Sequence, residues 1–210
     1  MRYTGPVCRQ CRREGTKLFL KGTKCFTEKC PVERRPYAPG QHGQNTARRR
    51  KTSEYAKQLR EKQKVKRIYQ VSERQFRNTF EKVSTQPGIT GHNLLAALEL
   101  RLDNVIYRMG FAPSRRAARQ LIRHRHIEVN GKLVDIPSYH VRPGEEIRVR
   151  QKSRELASVL GAMDPASRGA PLSWIAVDKE SYSGRMLEKP QRQSIPIAAQ
   201  EQLVVELYSK

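Results

Sequence analysis

No feature limits this chain more than its charge. It carries 42 Lys and Arg against 20 Asp and Glu, a formal net charge of +22 on 210 residues. A compact body with that charge repels itself until a polyanion neutralises it. Nucleic acid is the polyanion such a balance favours. An anionic membrane is the rival. However, the sequence has no apolar run near ~18 residues, no lipidation signal and no signal-peptide core at its start. A soluble cytoplasmic protein is expected.

The charge is graded along the chain. Residues 1–70 hold 20 basic and 5 acidic side chains, residues 71–150 hold 14 and 8, and residues 151–210 hold 8 and 7. The first third reads as an electrostatic arm, the middle as folded protein with basic faces, and the rest as ordinary surface. Hydrophobic residues make up 37% and aromatics 7%, so any core is lean. The length allows one medium domain or two small ones.

Residues 1–50 read as loops and small turns that cannot bury enough apolar surface to fold alone. All four cysteines fall here, as Cys8, Cys11, Cys25 and Cys30, in the spacing C-x2-C-x13-C-x4-C. Two close pairs separated by a loop suit a tetrahedral four-thiolate site. Two disulfides, disfavoured in a reducing cytosol, or four unrelated buried thiols are the alternatives. Zinc is the default ion, and the spacing leaves a four-iron four-sulfur (4Fe–4S) cluster open. With four thiolates the role is structural. Arg9, Arg12, Arg13, Lys24 and Lys29 would offset its negative charge.

Helical composition covers 53–69, with Tyr55, Leu59 and Tyr69 on one face. Ser72 and Gln75 form a capping box for a helix that buries Phe76, Phe80 and Val83. Pro87, Gly88 and Gly91 break the pattern and mark a boundary. One amphipathic helix is then expected from Leu94 to Met109, closed by Gly110. Ser114 caps a further helix reaching about Arg123. Asn130-Gly131 predicts a hairpin between 127–129 and 132–134. Segments 139–141 and 147–149 suggest a second strand pair. Leu156 to Leu160 suits a short helix, and 174–177 and 203–208 look like strands or extended segments.

The helix after Ser114 carries the sharpest functional signal. At about 100° per residue, Arg115, Arg116, Arg119 and Arg123 share an arc, with Ala117, Ala118 and Leu121 opposite. That arc holds no acidic residue at i±4, so its charge is expected to meet phosphate. Guanidinium groups suit phosphate through their planar, bidentate donors. His124, Arg125 and His126 extend the strip to the hairpin. In YAPGQHGQ, residues 37–44, the glycines suit close approach to an RNA backbone and Tyr37 suits base stacking. Asp103, beside Arg101 and Arg108, reads as a pairing group. No nucleophile and general-base set is present, so no enzyme is expected.

Residues 101–149, RLDNVIYRMGFAPSRRAARQLIRHRHIEVNGKLVDIPSYHVRPGEEIRV, closely resemble the S4 RNA-binding domain. Ser114, Arg115, Arg119, Arg123 and the VNG at 129–131 stand at its characteristic positions. YAPGQHG, KQKVKRIYQVSERQF (62–76) and the terminal LVVELYSK resemble the bacterial S4 family of small-subunit ribosomal proteins, in the subset with an N-terminal four-cysteine site. The resemblance spans nearly the whole chain.

That resemblance implies an α+β chain with a helical first domain into which a small α+β S4 RNA-binding domain is inserted, plus a metal-stabilised extension. The expected limits are 1–50 for the basic extension, 51–93 for the helical domain, completed by 160–210, and 94–159 for the inserted domain. It implies early binding of 16S rRNA, nucleation of the subunit body, influence on decoding accuracy, contact with neighbouring protein S5, and proximity to mRNA where it enters the subunit. Candidate RNA-binding residues are Tyr37, Gln41, His42, Arg48, Arg49, Arg50, Lys51, Lys62, Lys64, Lys66, Arg67, Arg115, Arg116, Arg119, Arg123, His124 and Arg125. Two other readings compete. Residues 94–125 could form the helix-turn-helix of a DNA-binding regulator. An RNA-modifying enzyme would need a catalytic domain larger than 151–210.

Overall fold

The structure is a computed structural model that describes residues 3–44, 53–163 and 172–209. The chain divides into two units, Met1–Gly91 with Ile197–Lys210, and His92–Pro196. Among the described residues, no helix is long and apolar enough to cross a membrane.

The first unit begins with short pieces. Helix α1 spans Cys8–Glu14, a single 3-10 turn spans Gly22–Cys25, α2 spans Pro31–Arg34 and another 3-10 turn spans Gln41–Gly43. Helix α3, Glu54–Tyr69, starts at Ser53, whose Oγ accepts from the Ala56 N–H at 3.3 Å. Its buried residues are Gln58, Val65, Ile68 and Tyr69, whereas Tyr55 in its first turn is 57% exposed. Helix α4, Glu73–Ser84, buries Phe76, Phe80 and Val83 as the spacing predicts. Its capping box is half made. Ser72 Oγ accepts from the Gln75 N–H, but the Gln75 carboxamide oxygen is buried without a partner among the described residues.

The C-terminal segment is helix α9, Glu201–Tyr208, not a strand. A short run such as LVVELY does not fix its own period, so packing decides. Here α9 lies on α3, Val204 is buried, Gln58 Nε2 donates to Glu206 Oε2 at 3.0 Å, and the Tyr208 ring sits 4.6 Å from Phe80. Glu73 ties the ends together. It accepts from Lys62 Nζ at 2.7 Å, Lys66 Nζ at 2.6 Å and the Tyr208 hydroxyl at 3.1 Å. Burial pushes the Glu73 carboxyl up, but the two lysines overcome this and hold it at about 2. A depressed carboxyl stabilises the fold above its unfolded pKa, near ~4.3, and that contribution disappears as pH falls through about 2. A carboxyl chemical-shift titration should therefore place Glu73 near 2. A midpoint above ~4 would show that the two lysines do not clamp this carboxylate.

The second unit holds a five-stranded antiparallel sheet in the order β2-β1-β3-β5-β4. The strands are β1, Ile127–Val129; β2, Lys132–Leu133; β3, Glu146–Val149; β4, Ile175–Asp178; and β5, Ser183–Met186. Asn130 and Gly131 both have positive φ, 50° and 75°, as a type I′ hairpin requires. The second predicted strand pair does not form. β3 pairs with β1 and β5, and near 139–141 only an isolated bridge joins His140 to Arg101.

That bridge accounts for another departure. The helix expected over 94–109 is two helices, α5, Thr90–Glu99, and α6, Leu102–Met109. Arg101 is extended between them, and the Leu102 and Asp103 N–H groups donate to Tyr139 and Pro137 carbonyls. Gly110 closes α6 at φ 78°, as expected. Helix α7, Arg115–Arg123, and α8, Ala157–Met163, follow.

The core joins Leu102, Ile106, Met109 and Phe111 to Ile127, Ile147, Val149, Trp174 and Met186. Strands β4 and β5 thus belong to this core, although 160–210 was expected to complete the helical part. Gly184 explains how closely they seat, since a Cβ there would meet Met109 Sδ at 2.9 Å.

Candidate nucleic-acid interface

Helix α7 begins at Ser114, whose Oγ accepts from the Ala117 N–H at 3.3 Å. The structure splits its arginines. Arg115 and Arg119 are only 5% and 8% exposed, whereas Arg116 and Arg123 are exposed. This corrects the expectation of one continuous solvent-facing arc. On a helical wheel Arg115 and Arg119 lie beside Ile122 and Ala118, and the other two lie roughly 60° further round. The buried pair meets acceptors on the neighbouring helix rather than on α7.

Asp103 of α6 accepts from Arg101 Nε and Nη2 at 3.2 and 3.0 Å, and also from Arg119. Arg115 Nε donates to Asn104 Oδ1 at 2.7 Å, and its guanidinium lies 4.4 Å over the Tyr107 ring. Asn104 Nδ2 donates to the Glu99 carbonyl and carboxylate, and Arg108 donates twice to the same carboxylate at 2.9 and 2.6 Å. Asp103 is a pairing group, as read, but its second guanidinium is Arg119, and Arg108 serves Glu99. The sequence signal was available in Asp103-Asn104. A helix buried nearly all round needs partners for its polar side chains.

The network fixes α7 against α6 and leaves an exposed corner of Arg116, Arg123, His124 and Arg125. Arg125 Nε reaches Asp135 at 3.3 Å across an exposed pair, which screening makes weak. Burial lowers the His126 pKa, with help from His124 and Arg150. His126 Nδ1 lies 2.8 Å from Ser153 Oγ.

In the first unit, the 37–44 loop closes on itself. Arg12 donates to the Tyr37 and Ala38 carbonyls at 3.0 and 3.3 Å, and its guanidinium covers the Tyr37 ring at 4.7 Å. One face of that ring is thus already used. A Cβ on Gly43 would fall 1.8 Å from the Ala38 carbonyl oxygen, so this glycine serves the loop's own closure. Gln41 and His42 are exposed. Arg48, Arg49, Arg50 and Lys51 lie outside the described residues.

The α3 cations are engaged internally. Lys62 and Lys66 hold Glu73, Lys64 reaches Glu61 at 3.4 Å, and Arg67 pairs with Glu14 of α1. Glu14 also accepts from Arg60 at 3.5 Å, and burial raises its pKa against the pull of both arginines. Sequence reasoning missed Glu14, the Glu99 cluster and an exposed pair of rings, Phe19 and Phe26.

All four cysteines are free thiols, with Cys11, Cys25 and Cys30 buried and Cys8 half-buried. Burial pushes the Cys11 thiol up to about 11, and the other three cysteines are near enough to add to the rise. The Lys21 N–H donates to Cys25 Sγ at 3.3 Å. All four thiols belong to one short stretch of the first unit. Even so, among the described residues no group of three or more Cys, His, Asp or Glu is arranged to hold a metal ion.

Residues 2–99 match the family model described as Ribosomal protein S4/S9 N-terminal domain, and residues 100–147 match the S4 domain. The chain is 58% identical to the small ribosomal subunit protein uS4 of Thermodesulfovibrio yellowstonii, over 100% of this chain and 99% of that protein. It is 56% identical to uS4 of Thermus thermophilus and 55% identical to uS4 of Solibacter usitatus, with the same coverage. On this evidence the chain belongs to the uS4 family of ribosomal proteins.

Proposed function

We propose that the protein is a structural, non-catalytic constituent of the small ribosomal subunit in the cytoplasm, and that it binds 16S rRNA directly and early in assembly. The observation that carries this is the exposed corner of Arg116, Arg123, His124 and Arg125, on a helix tied to α6 by the buried Arg119–Asp103 pair, in a chain of net charge +22. In the subunit it would neighbour S5 and mRNA where it enters, and so influence decoding accuracy.

Purified protein should bind naked 16S rRNA without other ribosomal proteins, and in preference to duplex DNA. Footprints that appear only after other proteins are added would reject early binding. Preference for duplex DNA would favour a regulator instead. Replacing Arg116 and Arg123 together by Ala should weaken binding and lower the log–log salt slope. The drop is up to about two units, borrowing the roughly 0.9 per phosphate contact of B-DNA. Stability should change by within about 0.5 kcal/mol, since both side chains are exposed. An unchanged slope would show this corner to be merely solvated.

Cys8, Cys11, Cys25 and Cys30 are further proposed to hold a structural metal, zinc or a 4Fe–4S cluster. The paired spacing of four soft sulfur donors, Cys8 with Cys11 and Cys25 with Cys30, in a segment with few other core residues supports this. Deprotonated by the metal, the thiolates would fix residues 8–30 as a knuckle. Cys25→Ser should lose the metal and loosen residues 3–44, while the 92–196 unit keeps its melting transition. Elemental analysis showing neither zinc nor iron in anaerobically purified protein would end the proposal.

A further inference from the structure

Residues 18–26 present two aromatic rings to solvent. Leu18 and Leu20 are each 3% exposed, while Phe19 between them is 37% exposed and Phe26 is 54% exposed. The rings lie 5.1 Å apart, tilted by 30°. Phe19 has φ 51°, in the left-handed region that a bulky side chain rarely enters. That strained backbone buries both flanking leucines and turns the Phe19 ring outward to meet Phe26. A simple core-filling role would not call for such a conformation, because the two leucines already supply the buried side chains.

The surroundings indicate what the rings could meet. Lys21, Lys24 and Lys29 are exposed in the same segment, and Glu28 is the exposed acid among them. Lys17 pairs with Glu33 and is engaged there. Exposed aromatic rings among lysines match the recognition of unpaired nucleotides, in which bases stack on rings while cations follow the phosphates. Duplex RNA offers no ring face to such a patch, since its bases are stacked on each other.

We infer that Phe19 and Phe26 form a stacking platform for the bases of single-stranded RNA, with Lys21, Lys24 and Lys29 holding the backbone. The inference rests on the reading of the chain as an RNA binder and adds a separate subsite for unpaired nucleotides. It is independent of sequence readout, because every base has a π-face.

The test uses the full-length protein, purified with its metal content retained, and a short single-stranded RNA carrying 2-aminopurine. The intact protein should quench the probe as the base stacks. Phe26→Ala should abolish quenching and weaken binding roughly five- to a hundredfold, as loss of one base–aromatic stack does. Phe26→Trp should restore both, and Phe26→Leu should not. Phe19→Asn gives a second variant suited to φ 51°, since Asn tolerates that region. It should keep the melting temperature and lose quenching. An oligonucleotide of equal length lacking bases should bind the intact protein and Phe26→Ala alike. Unchanged quenching and affinity in Phe26→Ala and Phe19→Asn would overturn the platform, including the case in which the rings instead dock a protein neighbour. The same samples assayed on 16S rRNA separate the two readings. Failure there by the intact protein rejects RNA binding as a whole, whereas normal binding there with Phe26-independent single-strand binding rejects the platform alone.

Discussion

Asp103→Ala is expected to cost the 92–196 unit about 3–5 kcal/mol, the usual result of breaking a buried ion pair from one side. Asp103 is 2% exposed and is shared by Arg101 and Arg119, which are 3% and 8% exposed. Truncation strips both guanidiniums of their common carboxylate while the surrounding apolar groups still exclude water. The lost attraction is therefore not replaced by hydration. The original pairing need not be strongly favourable for this to hold, because desolvating three charges already offsets much of it. A triple change of Arg101 and Arg119 to Met and Asp103 to Leu should accordingly recover most of the loss. Urea unfolding followed by circular dichroism measures each step. An Asp103→Ala protein within about 1 kcal/mol of the parent would mean that the three groups are hydrated in solution. RNA affinity should fall in the same variant, since the exposed Arg116 and Arg123 ride on the helix that Arg119 anchors.

Trp174→Ala should cost a comparable amount, about 3–5 kcal/mol, as large-to-small changes at buried aromatics do. Trp174 is 0% exposed and precedes β4 within the core of the second unit. Its indole N–H is buried with no partner among the described residues. Trp174→Phe should therefore be far milder, because it removes an unsatisfied donor along with some volume. The pair of variants separates packing from hydrogen bonding. It also tests whether the RNA-binding unit ends at about 159 or needs the strands beyond. If Trp174→Ala left unfolding of this unit unchanged, β4 and β5 would be dispensable to it.

Local signals carried much of the chain. Asn130-Gly131, Gly110, Ser72 and Ser114 each act within a few residues, and each forms the turn or cap its chemistry demands. Errors arose where a distant residue decides. The break between α5 and α6 follows from Arg101 bridging to His140, which lies far along the sequence in no local pattern. Helix α9 is set by α3 rather than by its own short apolar run. The arginine arc of α7 was legible as basic, but the side that faces Asp103 depends on how α6 lies beside it. A helical wheel shows which residues share a face, and only the partner helix reveals where that face is buried. The same limit hid the internal pairing of Lys62 and Lys66, whose carboxylate partner Glu73 stands on the next helix.

The first unit is discontinuous, with α9 returning to α3 from the far end of the sequence. Synthesis runs from the N-terminus at roughly 5–20 residues per second, so the inserted 92–196 unit is complete before the unit that encloses it in sequence. Until Glu201–Tyr208 emerges, Phe80 lacks the Tyr208 ring and α3 lacks its covering helix. A product ending before Glu201 would retain a sound inserted unit yet expose an uncovered apolar face on the other. Helix α9 therefore closes the first unit only after the whole 92–196 unit has been made.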